Sequence, residues 1–202
     1  MGEDMHCKWY IKSKVGEKAG KYVSAMEVMP TFDTSESNDF QDVFSFRSYP
    51  FFSMMGSSRS DWRMLENVNE GFPEWHAVEF PTENAMLKLK CHNYYRYGWM
   101  TFKDFRKALQ DRIVELGDVN LYYRNDPSVD ISEPILDLLQ NYSKSDEAKS
   151  FVKNFDEEAG HLIDICKEII EKLDKIAENY GDQDFRPLFD IEDSIMLFWF
   201  DC

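Results

Sequence analysis

An α+β fold, a mostly antiparallel sheet packed with helices, is predicted by three features: an alternating N-terminal stretch, a continuous apolar stretch at the C-terminus, and long runs of helical spacing between them. In "HCKWYIKSK", Cys7, Trp9 and Ile11 alternate with Lys8, Tyr10 and Lys12, the period of a half-buried strand. "SIMLFWFDC" has no polar face, as expected of a central strand covered on both sides. The two are expected to share one sheet.

Taken in order, residues 3–14 form an edge or near-edge strand, Val15 to Gly20 a hairpin turn, and "KYVSAMEVM" the returning strand. A polar surface loop follows. In "FSFRSYPFFSMMGSSRSDW", residues 44–62, Ser48 is placed to cap a helix of about two turns, with Pro50 in its first turn and Gly56 ending it in the left-handed conformation. The next stretch reads as irregular chain, and "HAVEF" and "AMLKLKCH" read as short strands.

Thr101 with Asp104 makes a capping-box pattern, followed by Phe102, Phe105, Leu109, Ile113 and Leu116 at helical spacing, and Gly117 is expected to stop that helix. A short helix starts at Ser132 before Pro134 and carries Ile135, Leu138, Leu139 and Tyr142 on one face. The longest helix is predicted near residues 145–179, where Phe155, Ala159, Leu162, Ile163, Cys166, Ile169, Ile170, Leu173, Ile176 and Ala177 form one stripe. With no repeat and no Gly/Ser linker, residues 1–202 read as a single α+β domain. Its acidic helical half, about 101–180, returns to the sheet at 194–201.

Charge narrows the class of partner. There are 23 Lys and Arg against 38 Asp and Glu, a net charge of −15 that repels a phosphate backbone at long range, so direct binding of DNA or RNA is not expected. Residues 1–100 hold 11 basic and 14 acidic groups, net −3, whereas 101–202 hold 12 and 24, net −12. The N-terminal "MGEDMHCKWYIKSK" offers no signal peptide or membrane span, and four scattered cysteines without CxxC fit a reducing cytoplasm. No membrane partner is implied.

Catalytic signatures are absent: there is no phosphate-binding glycine loop, GxSxG elbow, HExxH or EF-hand loop. The pairs His6-Cys7 and Cys91-His92 hold zinc-ligand chemistry, but neighbours on a strand point to opposite faces, and neither metal nor cofactor is expected. Glu74 and His76 flank Trp75 and would share a face, as an acid/base pair, if that segment were a strand. In "KCHNYYRYGWMTF", His92, Tyr94, Tyr95, Arg96, Tyr97 and Trp99 gather flat rings with cationic and hydrogen-bonding groups, the chemistry that stacks bases and grips phosphates. The same rings also serve simply to line a core edge.

The segments "RSYPFFSMMGSSR", "GFP", "CHNYYRYGWMTFKDF" and "IMLFWFD", in this order, resemble those of a family of tailed-bacteriophage and prophage proteins with no assigned activity. This chain departs from the family pattern with Ser48 in place of Asn, Met100 in place of Leu, and an aromatic run between His92 and Trp99. The resemblance implies a phage origin and the cytoplasm of an infected bacterium. By analogy of context it points to a non-enzymatic counter-defence protein that sequesters a nucleotide signal or binds a host defence protein. A ligand pocket is then expected around Arg47, Tyr49, Arg59, His92, Arg96 and Trp99, with arginines on phosphate and Trp99 or a Tyr under a base. Two further readings are an acidic inhibitor of a nuclease or CRISPR effector, and a small nucleotide-processing enzyme with His76 or His92 as base. An oligomer is compatible with all three.

Overall fold

The computed structural model describes residues 4–25, 42–44, 46–56, 64–90, 97–123, 146–180 and 188–201. The chain divides into two compact units, residues 1–108 with 171–202, and residues 109–170.

The first unit is built on a five-stranded sheet, β1 (Asp4–Lys12), β2 (Tyr22–Ser24), β3 (Asn69–Glu70), β4 (Tyr97–Thr101) and β5 (Ile195–Asp201), in the order β2-β1-β5-β4-β3. Every pairing is antiparallel. The α+β expectation holds, and the C-terminal strand sits at the centre, directly against the N-terminal one. Its residues 195–198 and 200 are buried because both faces are covered, which is why it needs no polar side. The turn between β1 and β2 contains the short 3-10 helix Gly16–Lys18.

Helix α1 (Tyr49–Met54) starts as the sequence indicates, with the Ser48 hydroxyl accepting the Phe51 N–H at 3.3 Å, and ends at Gly56 with φ 107°. Two helices, α2 (Glu74–Glu79) and α3 (Pro81–Lys90), occupy the segments expected as short strands. Prolines decide the matter: Pro73 is the N-cap of α2, and Pro81, without an N–H, opens α3 where no donor is needed. Their apparent alternation misleads because Val78 and Met86 are exposed, 79% and 55%, and do not mark a buried face.

Strand β4 leads straight into α4 (Phe102–Tyr123), capped by the predicted Thr101–Asp104 pair with the reciprocal bond running between the two side chains. The Asp104 N–H donates to Thr101 Oγ1 at 3.0 Å, and the Thr101 hydroxyl donates to Asp104 Oδ2 at 2.7 Å. Gly117 does not stop this helix, which continues to Tyr123; a glycine inside a helix costs only about 1 kcal/mol. Helix α5 (Asp146–Tyr180) matches the long predicted helix, with Leu173, Ile176 and Tyr180 buried in the first unit. The helix expected from Ser132 lies outside the described residues.

In the second unit Leu109, Arg112 and Leu116 of α4 and Ala159, Leu162, Ile165, Cys166 and Ile169 of α5 are buried. Of these, Leu109, Leu116, Ala159, Leu162, Cys166 and Ile169 belong to the stripes read from the sequence, Ile165 and Arg112 do not, and the stripe positions Ile113, Ile163 and Ile170 are half-buried. No helix among the described residues is long and apolar enough to cross a membrane.

Alternation assigns the two faces of the sheet. His6, Lys8 and Tyr10 share one face with Ile195, Leu197 and Trp199 and with Tyr97, Trp99 and Thr101. Trp9, Ile11, Met196, Phe198, Phe200 and Met100 face the other way, where Phe102 meets Trp9 and Phe52 of α1 meets Phe200, with ring centroids 5.9 Å apart in both cases. Helices α2 and α3 cover part of the first face through Trp75, Phe80 and Leu87.

Candidate functional site

The chemistry of the described residues gathers where α2 and α3 meet β1. His76 is fully buried, lying nearly parallel between the rings of Phe72 (5.5 Å, 15°) and Phe80 (5.6 Å, 24°). Tyr10 approaches it edge-on at 5.5 Å. A helix puts His76 and Phe80 one turn apart on the same side, and the Phe80 and Asn84 backbone N–H groups continue the ladder to the His76 and Phe80 carbonyls across Pro81.

A directional chain of hydrogen bonds runs through this ring. Glu83 Oε1 lies 2.6 Å from the Tyr10 hydroxyl and Oε2 lies 2.9 Å from Lys8 Nζ. Burial pushes the Glu83 carboxyl up, but His76, Lys8 and Tyr10 together outweigh it and hold the group at about 2. An ionised carboxylate has no proton to give, so Tyr10 must donate to it. The Tyr10 oxygen, 3.1 Å from His76 Nε2, then accepts from Nε2–H. His76 Nδ1, left as an acceptor, takes the Asn84 amide N–H at 2.9 Å. His76 Nε2 and Glu83 Oε1 are 3.9 Å apart, too far for a direct hydrogen bond, so Tyr10 is the bridge.

This order, Asn84 to His76 to Tyr10 to Glu83, with Lys8 closing the end, is a clasp. It satisfies each buried group and fixes two helices to the strand. His76 and Tyr10 have no exposed surface, so neither reaches a reacting ligand. The expected Glu74–His76 acid/base pair is corrected accordingly. The segment is a helix, on which positions two apart diverge, and Glu74 is exposed while His76 is enclosed. A second fastening joins α2 to β2: Glu79 Oε2 accepts the Tyr22 N–H at 2.5 Å, and Tyr22 stacks on Trp75 at 4.0 Å. Burial, then the charges of Asp193 and Glu79, push the Tyr22 phenol up, so it stays neutral.

Beside the clasp the same sheet face carries a band of half-buried rings. One cross-strand row is His6, Trp199 and Tyr97; the next is Lys8, Leu197, Trp99 and Asn69. His6 stacks on Trp199 (5.5 Å, 16°) and Tyr97 on Phe72 (4.2 Å, 16°). Trp99 is half-buried against Leu197 and its neighbours, and among the described residues no other ring stacks on its indole.

Of the pocket residues expected from the sequence, the structure brings two together. The Arg47 guanidinium lies 5.7 Å from the centre of the Tyr49 ring, at the start of α1. Tyr49 contacts Phe52, and Phe52 packs on Phe200, so this pair belongs to the element covering the opposite sheet face from Trp99. Arg59, His92 and Arg96 lie outside the described residues.

The sequence pattern does not single out Lys8, Tyr10, Glu83 or Asn84. Lys8 and Tyr10 sit on the strand face that reads as polar, and only the tyrosine there hinted at burial. Cys7 points away from His6, as neighbouring strand positions must, and burial pushes its thiol up to about 12 against a smaller lowering effect from Trp9. Among the described residues no group of three or more His, Cys, Asp or Glu is placed to hold a metal ion.

No protein-family model, curated protein or solved structure matches the chain.

Proposed function

We propose that this chain is a non-enzymatic binding protein that takes a nucleotide-type small molecule on the sheet face carrying Trp99. The observation that carries the reading is the Trp99 indole, half-buried in an aromatic band yet without a stacked ring among the described residues. A base stacked on such a ring gains about 1–3 kcal/mol. The net charge of −15 favours a single small ligand over a polymeric phosphate chain, whose charge would be repelled along its length. The resemblance to phage and prophage proteins supplies the context, in which the ligand is a nucleotide signal of host defence held out of circulation.

Calorimetry and thermal shift with AMP, ADP-ribose and cyclic oligonucleotides test this. Saturable binding is expected for at least one, with the ligand recovered chemically intact after denaturation and Trp99→Ala weakening it about tenfold or more. Absence of binding throughout, or undiminished binding by Trp99→Ala, refutes it. Product formation would instead make the protein an enzyme.

A second reading is favoured by the exposed side of α5 in the second unit, where Glu157, Glu158, Asp164 and Glu168 outnumber Lys167. Carboxylates so arrayed would stand in for phosphates against a nuclease or CRISPR effector. Inhibition of such an enzyme would fall steeply with salt and with reversal of these charges. Inhibition indifferent to both excludes it.

A further inference from the structure

The residue directly across from Trp99 in the β3–β4 pairing is Asn69. Its Nδ2 donates to the Asn67 carbonyl at 3.2 Å and to the Trp99 carbonyl at 3.3 Å. Carbonyl oxygens only accept, so the amide nitrogen must lie on that side and Oδ1 must turn away from it. The backbone around it is equally fixed. Asn67 sits in the left-handed region at φ 63°, Gly71 N–H donates to the Tyr97 carbonyl at 3.0 Å, and a Cβ on Gly98 would lie 2.9 Å from the Asn69 carbonyl. Asn69 is exposed, and antiparallel partners have Cβ atoms about 5 Å apart on the same face. A hydrogen-bond acceptor therefore lies on the same sheet face as the Trp99 indole, on which no ring stacks among the described residues.

We propose that Asn69 Oδ1 reads an exocyclic amino group on a ring stacked against Trp99, so that the ligand is an amino-bearing purine. This rests on the reading of Trp99 as the stacking surface. Both Asn69 donor hydrogens are already engaged by the two carbonyls, so the residue offers acceptance alone. A ring presenting an N–H₂ at that edge is matched; a ring presenting hydrogen or a lone pair is not.

Calorimetric titration of the wild type, Asn69→Ala and Trp99→Ala against two ligand pairs, each differing by one amino group, decides it. The pairs are AMP with purine riboside 5′-monophosphate, and GMP with IMP. The wild type should prefer the amino-bearing member of at least one pair about tenfold, the discrimination of one hydrogen bond. Asn69→Ala should bind that member as weakly as its counterpart. No preference in the wild type, or a preference preserved in Asn69→Ala, overturns the role of Asn69 while leaving the stacking site standing. No binding of any of the four, or binding unaffected by Trp99→Ala, overturns both together. Should Asn69→Ala not fold, the wild-type comparison within each pair still upholds or refutes the selection.

Discussion

Tyr10 and Glu83, 73 positions apart in the chain, are joined by a hydrogen bond of 2.6 Å that links the first strand to the helix above it. The Tyr10 hydroxyl has two roles in that clasp, donating to the carboxylate and accepting from His76 Nε2–H. Tyr10→Phe removes both and leaves a fully buried imidazole N–H without its acceptor. The expected loss is about 1–3 kcal/mol in urea unfolding, the cost of an unsatisfied buried donor. A loss below about 0.5 kcal/mol, the scale of a neutral surface change, would show that water or a rearranged His76 replaces the hydroxyl.

The same clasp sets a pH dependence. Glu83 is held at about 2 in the folded chain against an ordinary 4.5, so its ionised form is favoured by folding. Its contribution is fully present above the ordinary value and disappears as pH falls through the folded one. Because Glu83 is partly solvated, this amounts to about 1–2 kcal/mol after allowance for screening. Glu83→Gln should therefore be less stable than the wild type at neutral pH, with the gap closing as pH falls from about 5 to about 2. Denaturant midpoints of the two proteins across that range give the measurement. A gap independent of pH would mean that packing of the side chain, and not its charge, holds the helix.

Thiol reactivity tests two further environments. Burial pushes Cys7 and Cys166 up to about 12, against smaller opposing effects from Trp9 and from the Arg112 charge respectively. At pH 8 only roughly one in ten thousand of such thiols is ionised, and the thiolate is the species that reacts. Iodoacetamide added to the native protein should leave the buried Cys166 unmodified in peptide mass spectra and label the half-buried Cys7 far more slowly than it does in denaturant. Rapid native labelling of Cys166 would contradict its burial.

What was legible in the sequence was local. The β1 alternation, the apolar β5, the Ser48 and Thr101 caps and the α5 stripe are each set by residues within a few positions of one another, where spacing reports the solvent boundary directly. The site was not legible in that way. His76 with Glu83 and Asn84 becomes a unit only when α2 and α3 fold as helices, and Val78 and Met86 on their outer side imitate strand alternation. Alternation puts Tyr10 on a polar face, yet it is fully buried, because α2 and α3 close over that end of β1 and the clasp satisfies its hydroxyl. Trp99 stood out for its ring chemistry. Its partner across the sheet, Asn69, is 30 positions away and is set by strand register, which the alternation of single residues does not reveal.

Two glycines give opposite predictions from the same substitution. At Gly98 in β4, an added Cβ would lie 2.7 Å from Phe198 Cζ and 2.9 Å from the Asn69 carbonyl, and the second neighbour is backbone that has no room to give. Gly98→Ala should force β3 away from β4 and cost about 1–3 kcal/mol, as overpacking of a tight contact does. Gly117 lies within α4, where a Cβ meets nothing within 4 Å among the described residues. There alanine relieves the entropic cost of glycine in a helix, and Gly117→Ala should stabilise by about 0.5–1 kcal/mol. Thermal unfolding of both variants beside the wild type reads the two signs. A destabilising Gly117→Ala would show that the helix does not persist through this position, restoring the stop that the sequence pattern led one to expect. A neutral Gly98→Ala would show that β3 is not held against β4 as closely as the pairing of Asn69 with Trp99 requires.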